Sequence, residues 1–278
     1  VVMVEAKEDL ANPIGLNSAI FYGARALGPA FAGIVVAATG EGTAFFINAL
    51  TFLSVIASLL LMKNLPPVRS RAQGSSVTQH TLEGLHYVRK NRTLLILISL
   101  VAVSAFLSMP YNTVMPVFAE TVLKDSARPV VESICNTAVT GLHCQAPEAL
   151  PLGFLLTMVG LGAVVGAFIV AGLPYNSRRG LFLTIGNIAF PVALILFSLS
   201  KDFVFSLSIL FFVGISFVLQ NALANTLVQM TCPDELRGRV MSVYTLVFQG
   251  MMRIGAFQAG VMTDWISAPL SVGIGAAA

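Results

Sequence analysis

The sequence predicts an all-α membrane protein, on three observations. Only 10% of its 278 residues are charged and 56% are apolar, against roughly 25% charged in a soluble domain. The mean hydropathy is +0.84. The apolar residues gather into runs long enough to cross a hydrocarbon core, which takes about 20 helical residues. This composition excludes a disordered chain, a nucleic-acid-binding arm and a conventional soluble enzyme.

Complete runs are predicted over Leu16–Ala38, Thr43–Met62, Leu94–Ala119, Leu150–Gly172, Leu181–Leu199, Phe203–Leu227 and Val240–Met262, about seven complete spans. An eighth begins near Ala268 and reaches Ala278, about 16 Å of helix or roughly half a bilayer. The residues before the first run show no basic leader followed by a short apolar core. Glu5, Lys7, Glu8 and Asp9 read instead as a loop entered midway. The expectation is a fragment, or a truncated gene model, of a larger protein.

The basic residues alternate between loops. Lys7, then Lys63, Arg69, Arg71, Arg89, Lys90 and Arg92, then Arg178 and Arg179, then Arg237 and Arg239 fall on one side. Only Lys124, Arg128 and Lys201 fall on the other, and Arg25 and Arg253 lie inside runs. Lys- and Arg-rich loops stay cytoplasmic, so the N-terminal end and the long Lys63–Arg92 loop are expected in the cytoplasm. Cys135 and Cys144 then share the long outer loop, while Cys232 lies in an inner one. The outer pair fits a disulfide in an oxidising compartment and equally two free thiols.

The first and seventh runs repeat one another. Gly23, Gly28 and Gly33 stand five residues apart, as do Gly250, Gly255 and Gly260. Ala32 and Ala259 precede the last glycine of each row, and Arg25 and Arg253 follow the first. Such glycines read as a packing face, because small residues let helices approach closely in lipid. A repeat of six spans makes residues 1–62 the last two spans of one half. Residues 63–92 become the cytoplasmic inter-half loop, and 93–278 a second half truncated in its last span. Two six-helix halves related by parallel repetition are the layout of the major facilitator fold.

Particular residues strengthen that likeness. Glu8-Asp9-Leu10 with Asn12, Leu16-Asn17-Ser18, Ala24-Arg25 and Gly28-Pro29-Ala30 resemble the approach to the fifth span of one major facilitator branch. Pro233-Asp234-Glu235-Leu236-Arg237-Gly238-Arg239-Val240-Met241-Ser242, running to Gly250-Met251-Met252, resembles the same branch before its eleventh span. The branch includes transmembrane secretion effectors, enterobactin-type siderophore exporters and macrolide efflux pumps. The resemblance implies a secondary active transporter that exports a small molecule of drug, macrolide or siderophore class. It would work across the bacterial inner membrane by alternating access. Arg253 departs from the branch, which usually has a small residue or Pro there. The alternative is a truncated, non-transporting remnant or a membrane scaffold.

Ionisable groups inside spans cost about 2.5–3.5 kcal/mol on insertion scales and face bundle interiors. Arg25 and Arg253 therefore read as a positive lining for an anionic or phenolate-bearing substrate, or as partners of a coupling carboxylate. The structural alternative is a fixed ion pair, or donation by Arg25 to carbonyls near Gly28-Pro29. Asn112, Gln220, Asn221 and Gln249 are further pathway candidates, weighed against a plain packing role. Asn112, between Pro110 and Pro116, marks a hinge or polar kink. No Asp or Glu lies deep in a complete run. With the proton as candidate coupling ion, its carboxylate is expected outside these segments, and the fragment is not expected to transport alone.

Gly28 and Pro29 are gating candidates, with the Arg237-Gly238-Arg239 turn. That turn reads either as a topology signal or as a partner of carboxylates such as Asp234 or Glu235 that shut the inward gate. Thr81–Arg92, with Leu82, Leu85 and Val88 at helical intervals, fits a helix on the inner leaflet or a downward continuation of the third run. His80, His86 and His143 lie between runs, without an HExxH pattern or a nucleophile elbow. No enzyme, metal or cofactor is expected. The expected partners are a small-molecule substrate and the lipid bilayer, with no nucleic acid and the oligomeric state open.

Overall fold

The computed structural model describes residues 11–61, 77–135, 144, 146–173 and 179–278. The side chains of residues 11–23, 25, 26, 77–80 and 234 lie outside that description. Among the described residues the chain is all helical. Among these residues six helical stretches are long and apolar enough to cross a membrane, the interrupted stretch Arg92–Val122 counting as one. The first of them holds both of the first two predicted runs: α1 (Ala11–Leu61) is broken at Gly40, whose φ of 78° and ψ of 168° leave the helix. That left-handed φ costs glycine nothing and other residues a steric clash. A single glycine thus does the work of the loop expected between the runs.

Downstream lie α2 (Val77–Lys90), α3 (Arg92–Leu107), α4 (Tyr111–Val117), α5 (Lys124–Cys135), α6 (Ala149–Ala171), α7 (Arg179–Leu199), α8 (Phe203–Thr231), α9 (Asp234–Trp265) and α10 (Ala268–Ala277). The third run is not one helix. A turn at 108–110 parts α3 from α4, and a π-helical turn, Phe118–Val122, follows. Pro110 has no N–H to offer the Phe106 carbonyl, and Pro116 none to offer that of Asn112. The ends elsewhere are capped in the expected way. Asn91 Oδ1 accepts from Thr93 N at 3.1 Å and Leu94 N at 3.3 Å, and Asp202 Oδ1 accepts from Phe205 N at 2.7 Å. Side-chain caps of this kind satisfy orphan N–H groups of the first turn.

The packing centres on α8. Where α6 crosses it, Gly162 faces the Phe211 carbonyl and Gly214, while Gly214 faces the Val159 carbonyl and Ala163. Where α7 crosses it, a Cβ on Gly186 would stand 2.9 Å from the Gln220 nitrogen. Two apolar clusters follow. One, at the Cys135 end, joins Phe118, Phe190, Phe197, Phe203 and Leu210, with Phe118 and Phe197 stacked at 4.5 Å. The other, at the Arg239 end, joins Val88, Leu94, Leu223, Val240 and Tyr244. By contrast, residues 43–61 of α1 are exposed almost throughout, with Phe45 at 73% and Leu60 at 79%.

The glycine rows do not form the packing faces expected of them. A step of five residues turns about 140° around a helix, so such a row winds off any one face. Only one described glycine of each row meets a neighbouring helix. Gly33 has a Cβ position 3.1 Å from Gly153 of α6, and Gly255 faces the Phe106 carbonyl and Pro110. Gly28, Gly250 and Gly260 meet nothing. Gly162→Ala should therefore lower thermal stability in detergent by about 1–3 kcal/mol, because overpacked cores lose that much. Gly250→Ala should stay within about 0.5 kcal/mol or stabilise slightly. A thermal melt of both variants by circular dichroism checks the pair, and equal shifts would contradict the packing account.

Candidate functional site

The polar residues within the spans separate into two groups. The first runs along α9. Ser242, Thr245, Gln249 and Arg253 follow one another at steps of three and four residues, and all four are exposed. Such steps bring side chains to one helix face. Arg253 stands twelve residues before Trp265, about 18 Å along the axis, so it lies near mid-depth. The face opposite packs on α3 and α4 through Gly255. A groove of about 630 Å³ follows the inner half of this row, lined by Gly238, Met241, Ser242, Thr245, Leu246, Gln249 and Gly250. Asn112, on the neighbouring α4, is exposed as well.

The second group is internal. Gln220 is 4% exposed, and its Oε1, the Ser104 Oγ and the Asn187 Oδ1 are all buried without a hydrogen-bond partner. These three residues line one cavity of about 420 Å³ between α3, α7, α8 and α10, closed in part by Pro191, Gly275 and Ala276. Gln220 is thereby parted from Gln249 and Arg253, with which the sequence grouped it. Its neighbour Asn221 spends its amide on the Phe217 carbonyl at 3.2 Å, within its own helix. Ser104 and Asn187 were not among the expected residues. A deep Asn in an apolar run, four positions before a proline, was the available signal.

Two gating expectations change. Arg237, Gly238 and Arg239 form no turn, since α9 starts at Asp234 and they belong to its opening turns. Acidic residues at that start complement the helix dipole. Arg239 pairs across the bundle with Glu83 of α2, at 2.6 Å, a carboxylate not among those expected, and the Asp234 side chain lies outside the described residues. Nor does Thr81–Arg92 extend the third run. Asn91, with extended φ and ψ, breaks α2 from α3, and α2 folds onto α9. Gly28 is exposed, while the Pro29 carbonyl stands 3.0 Å from the Cβ position of Gly153. Arg25 falls within α1, its side chain outside the described residues.

At the opposite end α5 carries an exposed pair, Arg128 Nε to Glu132 at 2.8 Å, which raises the Arg128 pKa through that hydrogen bond and charge. A cavity of about 950 Å³ lies beside it, with Glu120, Asp125, Glu132 and Glu148 on its wall. The structure joins Cys135 and Cys144 in a disulfide at its rim, with Cα atoms 5.5 Å apart. Cys232 is free and buried, and burial pushes its thiol pKa up, against a smaller opposing pull from Arg237. Among the described residues no cluster of His, Cys, Asp or Glu could hold a metal ion.

A bundle of bilayer-length helices with an arginine and a row of hydroxyl and amide groups exposed at depth defines an integral membrane protein with a polar face inside the membrane. The family model of the Major Facilitator Superfamily matches residues 3–256, and the chain belongs to that superfamily of membrane transporters. None of the curated proteins compared matches the chain.

The cysteine arrangement predicts a mass signature. Denatured without reductant, the protein should take up one alkyl group, at Cys232. After reduction it should take up three. Three without reduction would show that Cys135 and Cys144 are free thiols.

Proposed function

We propose that the chain serves alternating-access export of a small amphipathic anion of drug or siderophore class across the bacterial inner membrane. The face of α9 bearing Ser242, Thr245, Gln249 and Arg253 lines the substrate path. The observation that carries this reading is the exposure of Arg253 near mid-span. An arginine facing lipid there would lie too deep to reach the headgroups by snorkelling and would cost several kcal/mol. A water-filled path removes that cost and leaves a fixed positive charge for an anionic group, with Gln249 one turn away to hydrogen-bond it. The exposed apolar arm 43–61 of α1 supports assigning residues 1–62 to the half opposite 93–278, with residues 63–92 joining them in the cytoplasm.

Thiol accessibility tests the path. In a Cys232→Ser background reconstituted in lipid, Ser242→Cys, Thr245→Cys and Gln249→Cys should react with a membrane-impermeant reagent at least tenfold faster than Phe257→Cys. Equal rates would rule out an aqueous path along α9. Binding of a fluorescent anionic amphipath should weaken about tenfold in Arg253→Gln, the loss expected for a charge-assisted contact. Arg253→Lys, which keeps the charge, should lose less than threefold. A neutral probe should bind both variants as it binds the parent.

A further inference from the structure

We propose that the cavity between α3, α7, α8 and α10 is a second binding site, for a neutral amphipathic molecule bearing a hydroxyl group. Its volume of about 420 Å³ lies within the range of small-molecule sites, roughly 300–1,000 Å³. A single water, whose share of liquid volume is about 30 Å³, would leave most of it empty. The polar groups converge at one depth. Ser104 lies twelve residues past the start of α3, Asn187 eight past the start of α7 and Gln220 eleven before the end of α8. Those steps place all three about 12–18 Å from the Arg239 end of the bundle. Helix packing holds them there. Gly186 brings α7 onto α8 with its Cβ position 2.9 Å from the Gln220 nitrogen, so Asn187 and Gln220 enter the cavity from one crossing. From α10, Gly275 faces the Leu107 carbonyl and closes the α3 side.

Two features of the wall select the ligand. Among the described residues, none that lines the cavity carries an ionisable side chain. A bound ion would stand at depth with no counter-charge to offset its lost hydration, so the ligand is neutral. The second feature is hydrogen bonding. Ser104 Oγ, Asn187 Oδ1 and Gln220 Oε1 are all buried without a partner, and Pro191 has no N–H to offer the Asn187 carbonyl. A hydroxyl group both donates and accepts, which suits a serine and two amides that present oxygen or nitrogen by turning. An ether oxygen only accepts, and leaves these oxygens orphaned. The rest of the wall is apolar, with Leu100, Val103, Leu107 and Pro191. Of the lining residues Ser99 and Val103 are exposed, so the mouth lies on the bundle surface at membrane depth, where amphipaths concentrate. None of Ser242, Thr245, Gln249 and Arg253 lines this cavity, and the site stands or falls apart from the α9 face.

Photolabelling tests the site without any transport measurement. A diazirine-bearing alkylphenol, neutral at pH 7 because a phenol titrates near pH 10, is cross-linked to the protein in lipid nanodiscs. Peptide mass spectrometry should place the saturable adduct on residues 99–108, 187–191 or 275–278. Excess 4-pentylphenol should cut its yield about fivefold or more, and excess 4-pentylanisole, which lacks the donor, less than about twofold. Asn187→Leu and Gln220→Leu should each lower the yield about fivefold. Equal competition by the two compounds, variants that label like the parent, or an adduct found only elsewhere, as on the exposed residues 43–61, would overturn the proposal. Absence of any saturable adduct, the result for a cavity that holds water alone, would overturn it equally. Should the variants lose helix content, the competition in the parent decides.

Discussion

The close crossing of α6 and α8 is the contact on which the other helices depend. Water drives helices together in a soluble core, but lipid tails are as apolar as leucine, and association in a membrane rests on close van der Waals packing. Gly162 and Gly214 supply it by removing side chains from both partners at one point. With α6 seated, Gly153 on its other face receives Gly33 and Pro29 of α1. With α8 fixed, Gly186 brings α7 against its other side. The phenylalanines between them can then stack at the disulfide end.

α9 has a different balance. Its one tight glycine contact, Gly255 against the Phe106 carbonyl, falls where Pro110 withholds an N–H. At its inner end it is held by α2 and the Val240–Tyr244 cluster, and its polar row is unpacked. A helix with few fixed points, a hydrophilic open face and a charge-held inner end suits a moving wall better than a structural post. The tightly crossed α6, α7 and α8 suit the frame it moves against.

The sequence displayed the fold because bilayer length is a blunt signal: runs of apolar residues were legible without knowing any contact. The break at Gly40 was not, since a short Gly-containing link between two runs looks the same whether it forms a loop or a single-residue break. The glycines were legible as residues and misleading as a pattern. Rows at five-residue spacing drew the eye through repetition, while Gly162, Gly186 and Gly214, which make the crossings, follow no repeat. The site was half legible. Gln249 and Arg253 stood out as polar groups in an apolar run, while Ser242 and Thr245, in the same run, are small polar residues that read as ordinary helix-packing groups. Glu83 could not be assigned to Arg239, because a contact across 156 positions leaves no trace in local spacing.

The two polar groups within the membrane pose opposite energetic problems, and this difference underlies the proposal that the path follows α9. Ser104, Asn187 and Gln220 are neutral, and each buried atom without a partner costs about 1–3 kcal/mol. A single water or polar side chain can remove that cost, so the cavity needs only a local occupant. Arg253 is charged and exposed on the outer face of α9, where neither a bonded water nor α3 can screen it. Its relief requires something extended: a water column, or an opposing wall with acceptors. The row of Ser242, Thr245 and Gln249 continues that requirement toward the Arg239 end, where the groove along α9 lies. A charge that only a continuous polar environment can accommodate, at the end of a row that provides one side of it, is the reason the proposed path follows α9 rather than the Gln220 cavity.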